Sequence, residues 1–272
     1  MCEQHTDYDS LSKTRLKDIT ALRQKKHRDS RGEFLAEGPL LVTEALSHGR
    51  VRAIIIRTEP QLPQEYRELL DKALQDDIEV LAATPEQFSK ICEARTPQGI
   101  AAVTGKVENQ MAVMLADKQP VFLLEDLQDP GNVGAVLRSA AAFQAGGIIC
   151  SKGCADLFNA KTARATQGGI FKVPLAWDCH AEDVIAKLRE HGYNILATCP
   201  PCPTSVDFTT IEICPGTVII LGNERRGVSE RFMEMADSRI HIPTSRQSNS
   251  INVAASAAIL MHHCYRIFQP GE

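Results

Sequence analysis

The 272-residue chain has no run of about 18 apolar residues, so a membrane-spanning helix is not expected. Its 17 Gly and 14 Pro are too few for a fibrous or low-complexity protein. No unit of 20–50 residues recurs, which excludes a solenoid. The polar, acidic opening MCEQHTDYDS does not read as a secretory signal. Nine cysteines form no even framework and predict reduced thiols in a cytoplasm rather than disulfides. No G-x-G-x-x-G follows the first strand of either segment described below, which argues against a Rossmann-type nucleotide enzyme. What is present is an ordinary globular composition, 43% apolar and 24% charged. That suits one large domain or two small ones.

Charge is uneven along the chain. The total of −4 excludes a uniformly basic nucleic-acid binder. Residues 11–57, however, carry 11 Lys/Arg against 5 Asp/Glu, and 58–119 carry 6 against 11. Within 13–31, KTRLKDITALRQKKHRDSR, 8 basic residues face 2 acidic ones. Such a stretch either meets a polyanion or forms a solvated helical face.

Hydrophobic periodicity divides the chain. Residues 11–105 mix helices and strands in a small α/β unit. Leu11, Leu16, Ile19 and Leu22 recur at helical spacing, and Lys13 to Arg31 reads as one basic helix. Phe34 to Glu37, Val51 to Ile56, Ile78 to Ala82 and Ile100 to Val103 read as strands. Pro39 opens one helix, and Thr84 caps another. Residues 106–119 read as a linker. Over 120–270, apolar strands such as Val121–Leu124 and Thr217–Leu221 alternate with helices. This predicts a mostly parallel sheet covered on both faces.

Ligands of such sheets bind at the carboxyl ends of strands. Three such ends are rich in Gly, Asn, Ser and charge. The first is LLEDLQDPGNVGAVLRSA, 123–140, where Asp129-Pro130-Gly131-Asn132 leads into a helix. Arg138 lies six residues after Asn132, roughly 240° around that helix. Alone, this motif reads equally as a helix cap plus a surface arginine. The second is VIILGNERRGVSE, 218–230, where Gly222 permits close backbone approach and Glu224 has no i+4 partner. The third is RIHIPTSRQSNSINVAASAAILMHH, 239–263, where Ser250 can cap a helix that is apolar nearly all round. Such a helix is buried, against the core or a partner subunit.

Together these blocks resemble the three signature motifs of the SpoU, or TrmH-like, branch of the SPOUT RNA methyltransferases. The matching residues are Asp129-Pro130-Gly131-Asn132-Val133-Gly134 with Arg138, Leu221-Gly222-Asn223-Glu224 with Gly227, and Ile242-Pro243 with Ser250-Ile251-Asn252-Val253-Ala254. KKHRDSRGEFLAEGPLLVTEAL and PQGIAAV are similar to the family's ribosomal-protein-like RNA-binding domain. The resemblance implies a trefoil knot, a homodimer and methyl transfer from S-adenosylmethionine to a ribose 2′-hydroxyl, in rRNA by preference and in tRNA as a second option. It implies cofactor contacts at Gly222, Ile242 and Ile251, with Thr198 and Leu221 next. It places Asn132, Arg138, Glu224, Ser250 and Asn252 in the conserved polar set.

That chemistry suits those residues. A ribose hydroxyl must lose its proton as it attacks. Arg138 is expected to hold the substrate phosphate or ribose and steady developing charge, while Glu224 and Asn132 orient groups. An arginine is a poor proton acceptor because it stays charged. Lys25, Lys26, Arg28 and Arg31 are the candidates for RNA docking. The sequence departs from the family at Thr244, Arg246 and Ser248-Asn249, which leaves substrate choice open. Cys199 and Cys202 have too few companions for a zinc site, and no metal is expected. The rival reading is an RNA-binding protein on the same fold that has lost its cofactor.

Overall fold

The computed structural model describes residues 8–59, 63–245 and 251–268. They divide into two compact units. One runs to Lys106 and takes in Phe158–Gly168; the other comprises Val107–Leu157 and the chain from Gly169 onward.

The first unit is built on strands β1 (Asp9–Ser10), β2 (Glu33–Glu37), β3 (Val51–Arg57), β4 (Glu79–Ala83) and β5 (Ile100–Gly105). Their order is β1-β4-β3-β5-β2, with β5 antiparallel to both its neighbours and the other pairs parallel. The β-branched run of β3 is buried almost throughout, as a central strand should be. Ile19, Leu22, Phe88 and Ile91, from or beside the helices Lys13–Ala21 and Pro85–Ile91, pack against Leu35, Ile55, Leu81 and Val103. Thr84 and Gln87 close a reciprocal capping box on the second of these helices.

The helix expected from Lys13 to Arg31 is instead two, Lys13–Ala21 and Lys25–Arg31. The cause is Arg28. Its side chain is buried, and Nη1 donates to the carbonyls of Leu22 and Arg23, both at 2.8 Å. A guanidinium thus satisfies carbonyls that a continuous helix would have bonded to its own backbone. A further helix, Ala160–Ala165, packs on β2, and the rings of Phe34 and Phe158 lie 5.3 Å apart. Residues 158–168 therefore belong by contact to the first unit, although the expected boundaries put them in the second.

The second unit holds β6 (Val121–Leu124), β7 (Gly147–Ser151), β8 (Leu175–Cys179), β9 (Asn194–Thr198), β10 (Ser205–Asp207), β11 (Thr217–Leu221) and β12 (Ser238–His241). The order is β10-β12-β9-β11-β6-β7-β8, and every neighbouring pair is parallel. β6 and β11 are buried along their whole length, as continuous apolar runs between two helical layers should be. The segment expected as a linker carries the helix Met111–Asp117. Met114 and Leu115 join the core beside Val121 and Ile195, and the Tyr193 hydroxyl donates to the Met114 carbonyl. The apolar repeat of MAVML outweighs its polar flank. No described helix is long and apolar enough to cross a membrane.

Candidate functional site

The parallel sheet aligns the carboxyl ends of β12, β9, β11 and β6 along one edge. Each strand runs out there into a polar loop. After β11 the chain turns at Gly222, where a Cβ would overlap the backbone of Gly227 and Val228, so only glycine fits. The loop between is a tight hairpin. Asn223 Oδ1 accepts from the N–H groups of Arg225 (3.0 Å) and Arg226 (3.3 Å), and Gly227 N–H donates to the Asn223 carbonyl at 2.8 Å. Asn223 Nδ2 donates to the Asp126 carbonyl at 2.8 Å, tying this loop to the one after β6. The buried Glu125 carboxylate accepts from Ser229 N–H at 2.9 Å, ahead of the helix Glu230–Met235.

The helix after β6 is Pro130–Ala142. It takes in Pro130-Gly131-Asn132, because Asp129 is its N-cap and accepts from Gly131 N–H (2.6 Å) and Asn132 N–H (3.1 Å). Asn132 thus lies in the first turn and aims its amide across the site. Its Nδ2 donates to Glu224 Oε1 at 3.1 Å, and its Oδ1 accepts from Asn252 Nδ2 at 3.1 Å. Glu224 also accepts from Asp129 N–H at 3.1 Å and, weakly, from Gln128 N–H at 3.4 Å. Asn252 turns its own Oδ1 to the N–H groups of Ala254 (2.9 Å) and Ala255 (3.4 Å), starting the last helix, Val253–Phe268. One chain of contacts, Glu224 to Asn132 to Asn252, therefore joins all three polar loops. Partial desolvation pushes the Glu224 carboxyl up. The hydrogen bonds from Asn132 and the backbone N–H groups outweigh it and hold the pKa below the ordinary value.

Of the expected polar set, Asn132, Glu224 and Asn252 come together. Arg138 does not join them. It stands two turns along its helix, exposed, with no partner among the described residues. Ser250 and the departures Arg246 and Ser248-Asn249 lie outside the described residues. Thr244 is half-buried beyond β12. Of the docking candidates, Lys25 pairs with Asp29 (2.7 Å) and Arg31 with Asp18 (3.2 Å), both in exposed ion pairs. Lys26 is exposed and has no partner among the described residues. Arg28 is committed to the turn between the two basic helices. Sequence reasoning gave no role to Asn223 or Glu125. An Asx-turn signature marks Asn223. Nothing local marks Glu125, whose partner is 104 residues away.

S-adenosylmethionine needs apolar walls for its adenine and backbone groups for its polar edge. Thr198 ends β9, with its hydroxyl donating to the Ile220 carbonyl at 2.8 Å. Leu221 is buried, and its carbonyl accepts from Glu125 N–H. Gly222, Ile242 and Ile251 differ: among the described residues, no hydrogen bond takes up their backbone groups. Ile242 and Ile251 are half-buried. Free backbone donors and acceptors beside aliphatic side chains fit this cofactor.

Comparison with known proteins agrees with this geometry. The MRM3-like substrate binding domain matches residues 13–102. A relative 32% identical over 256 residues, covering 94% of this chain and 97% of its own, is the 23S rRNA (guanosine(2553)-2′-O)-methyltransferase RlmP of Bacillus subtilis. Another, 25% identical across 90% of this chain and 86% of its own, is the 23S rRNA (uridine(2479)-2′-O)-methyltransferase of Streptomyces viridochromogenes. Among solved structures, an AdoMet-bound rRNA methyltransferase from Sinorhizobium meliloti superposes with a TM-score of 0.81. It is 29% identical and covers 96% of this chain and 97% of its own. With the SpoU rRNA Methylase family model matching residues 119–262, across all three polar loops, this chain belongs to that family.

Proposed function

We propose that this protein transfers a methyl group from S-adenosylmethionine to a ribose 2′-hydroxyl of rRNA. The observation that carries the reading is the Glu224–Asn132–Asn252 chain, which binds the three signature loops into one edge of a parallel sheet. When bound, the cofactor supplies an electrophilic sulfonium methyl. Gly222, Ile242 and Ile251 would hold it through backbone groups, with Thr198 and Leu221 fixing the strand ends behind them. Asn132 and Glu224 keep the loops in register so that no reorganisation accompanies reaction. Arg138, free and charged, holds the phosphate or ribose of the substrate and steadies charge on the attacking oxygen. Lys26 and its exposed neighbours on the basic helices supply phosphate contacts in the substrate-binding unit.

The same reading includes a second copy of the chain. The last helix leaves Ile259 and Ile267 exposed, 38% and 41%, a surface suited to an isologous dimer. It also includes a trefoil knot, supported by the insertion of β12 between β9 and β10. Eight free cysteines among the described residues suit a reducing cytoplasm.

The test is incubation with methyl-tritiated S-adenosylmethionine and RNA from cells lacking the protein, followed by nucleoside digestion. Label in a 2′-O-methyl nucleoside of rRNA is the expected result, and label in tRNA would move the substrate. Label on a base would overturn the ribose mechanism. No label with no cofactor binding would favour the non-catalytic RNA-binding reading. Arg138→Ala and Arg138→Lys should each lower kcat, by about 10²-fold for Ala; full activity in both removes the assigned role.

A further inference from the structure

The first unit contains a cavity of about 390 Å³, within the range of ligand sites. Its lining brings together the two segments that suggested an RNA-binding domain: Glu37-Gly38 from the first and Pro97-Gln98 from the second. Gly38 sits at φ +94 and its N–H donates to the Ile100 carbonyl, which holds the segments side by side. Glu37 is 4% exposed at the cavity wall. Its carboxylate is matched by Arg164 Nη1 (2.7 Å) and by the N–H groups of Glu93 (2.7 Å) and Ala94 (3.1 Å). The wall is therefore already neutral and rigid. The rim is not. Arg95, Thr96 and Gln98 are exposed, and their side chains have no partners among the described residues. A charge-matched floor, a free guanidinium and two neutral polar side chains leave the cavity a net attraction for an anion bearing hydrogen-bonding groups.

We infer that this cavity receives one unstacked nucleotide of the RNA substrate. Its base enters beside Pro97, and its phosphate lies on Arg95. The inference rests on the RNA substrate proposed above and adds where a single-stranded residue is held. The cavity's size suits a single base with its sugar. Base-paired RNA offers only its backbone and its shallow groove, whereas a splayed nucleotide offers both base edge and phosphate. Arg95 provides a planar fork for the phosphate. Thr96 and Gln98 provide a hydroxyl and an amide for the base edge or ribose.

The experiment uses the full chain and two probes: a 12-nucleotide single-stranded RNA carrying one 2-aminopurine, and the same sequence as a blunt duplex. The single strand should bind at least tenfold more tightly and change the 2-aminopurine emission. Arg95→Ala should weaken single-strand binding about tenfold and reduce the salt slope by about one phosphate contact. Arg95→Lys should restore the slope but not all of the affinity. Thr96→Ala and Gln98→Ala should weaken binding without altering the slope. Equal affinity of Arg95→Ala and the parent for the single strand, or equal affinity of single strand and duplex, overturns the proposal. Cofactor affinity, measured in parallel, should be the same in all variants. A parent that methylates rRNA but ignores Arg95→Ala refutes only the cavity. A parent that binds no cofactor while Arg95→Ala loses RNA refutes only the methyl transfer.

Discussion

Asn132→Ala removes both arms of the contact chain at the site. The lost bonds are a 3.1 Å donation to the Glu224 carboxylate and a 3.1 Å acceptance from Asn252. A bond to a charged group contributes roughly 1.5–3 kcal/mol and a neutral one roughly 0.5–1.5 kcal/mol. Glu224 and Asn252 are exposed, so water replaces part of each, and about 1–2 kcal/mol is the expected cost. At an m-value of roughly 2 kcal/mol/M, the urea midpoint falls by about 0.5–1 M. The single Trp, Trp177 on β8, reports this unit by fluorescence without signal from the other. Glu224→Ala and the double variant complete a cycle in which the pair should couple by about 1 kcal/mol. Additivity within ~0.3–0.5 kcal/mol would refute the contact chain as an energetic unit. The pH dependence has a fixed sign. Because the folded Glu224 carboxyl sits below its ordinary 4.5, its contribution is complete above that value. It disappears as pH falls through the lower folded pKa. Between pH 6 and 8 the coupling should stay constant.

Other outcomes follow from single residues. Gly222→Ala places a methyl group in the Gly227–Val228 backbone and must displace the loop carrying Glu224; cofactor affinity by calorimetry should fall tenfold or more, and an unchanged Kd would disprove the close approach. Arg28→Ala should destabilise the first unit by about 1–3 kcal/mol in chemical denaturation, whereas Lys26→Ala should leave stability unchanged and lower only the salt slope of RNA binding. Hydrogen bonding from Thr204 and then Ser205 brings the exposed Cys202 thiol down to about 7, while burial pushes Cys92 and Cys264 up to about 12. Iodoacetamide at pH 7 should therefore label Cys202 first by mass spectrometry, with a rate inflection near 7; an inflection near the ordinary thiol value would contradict that environment.

Elements with strong local signals were legible in the sequence. The apolar runs of β6 and β11, the Pro39 helix and the Thr84 cap all stand where their residues place them. β8 and β10 were not legible. Only the first two residues of LAWDC are buried and SVD is three residues long, and both strands lie at sheet edges where patterning is weak. The break in the basic helix has no Pro or Gly to mark it, because a side chain four residues beyond the turn makes it. At the site, the residue types were readable and their partners were not. Glu224 lacks a local partner because its partner, Asn132, is 92 residues away. The separation of Arg138 from Asn132 follows from helical arithmetic alone once Asp129 is the cap.

Residues 158–168 give the chain an order of assembly. The sheet that holds Phe34 and Glu37 has its full set of neighbours only after Phe158 and Arg164 have been made. Synthesis from Lys106 to Gly168 takes roughly 3–12 s at about 5–20 residues/s. During that interval a nascent first unit exposes an uncovered aromatic ring and a buried-type carboxylate without its arginine. A fragment ending at Lys106 would keep that defect permanently. The first unit is thus finished by residues made only after the second unit has begun.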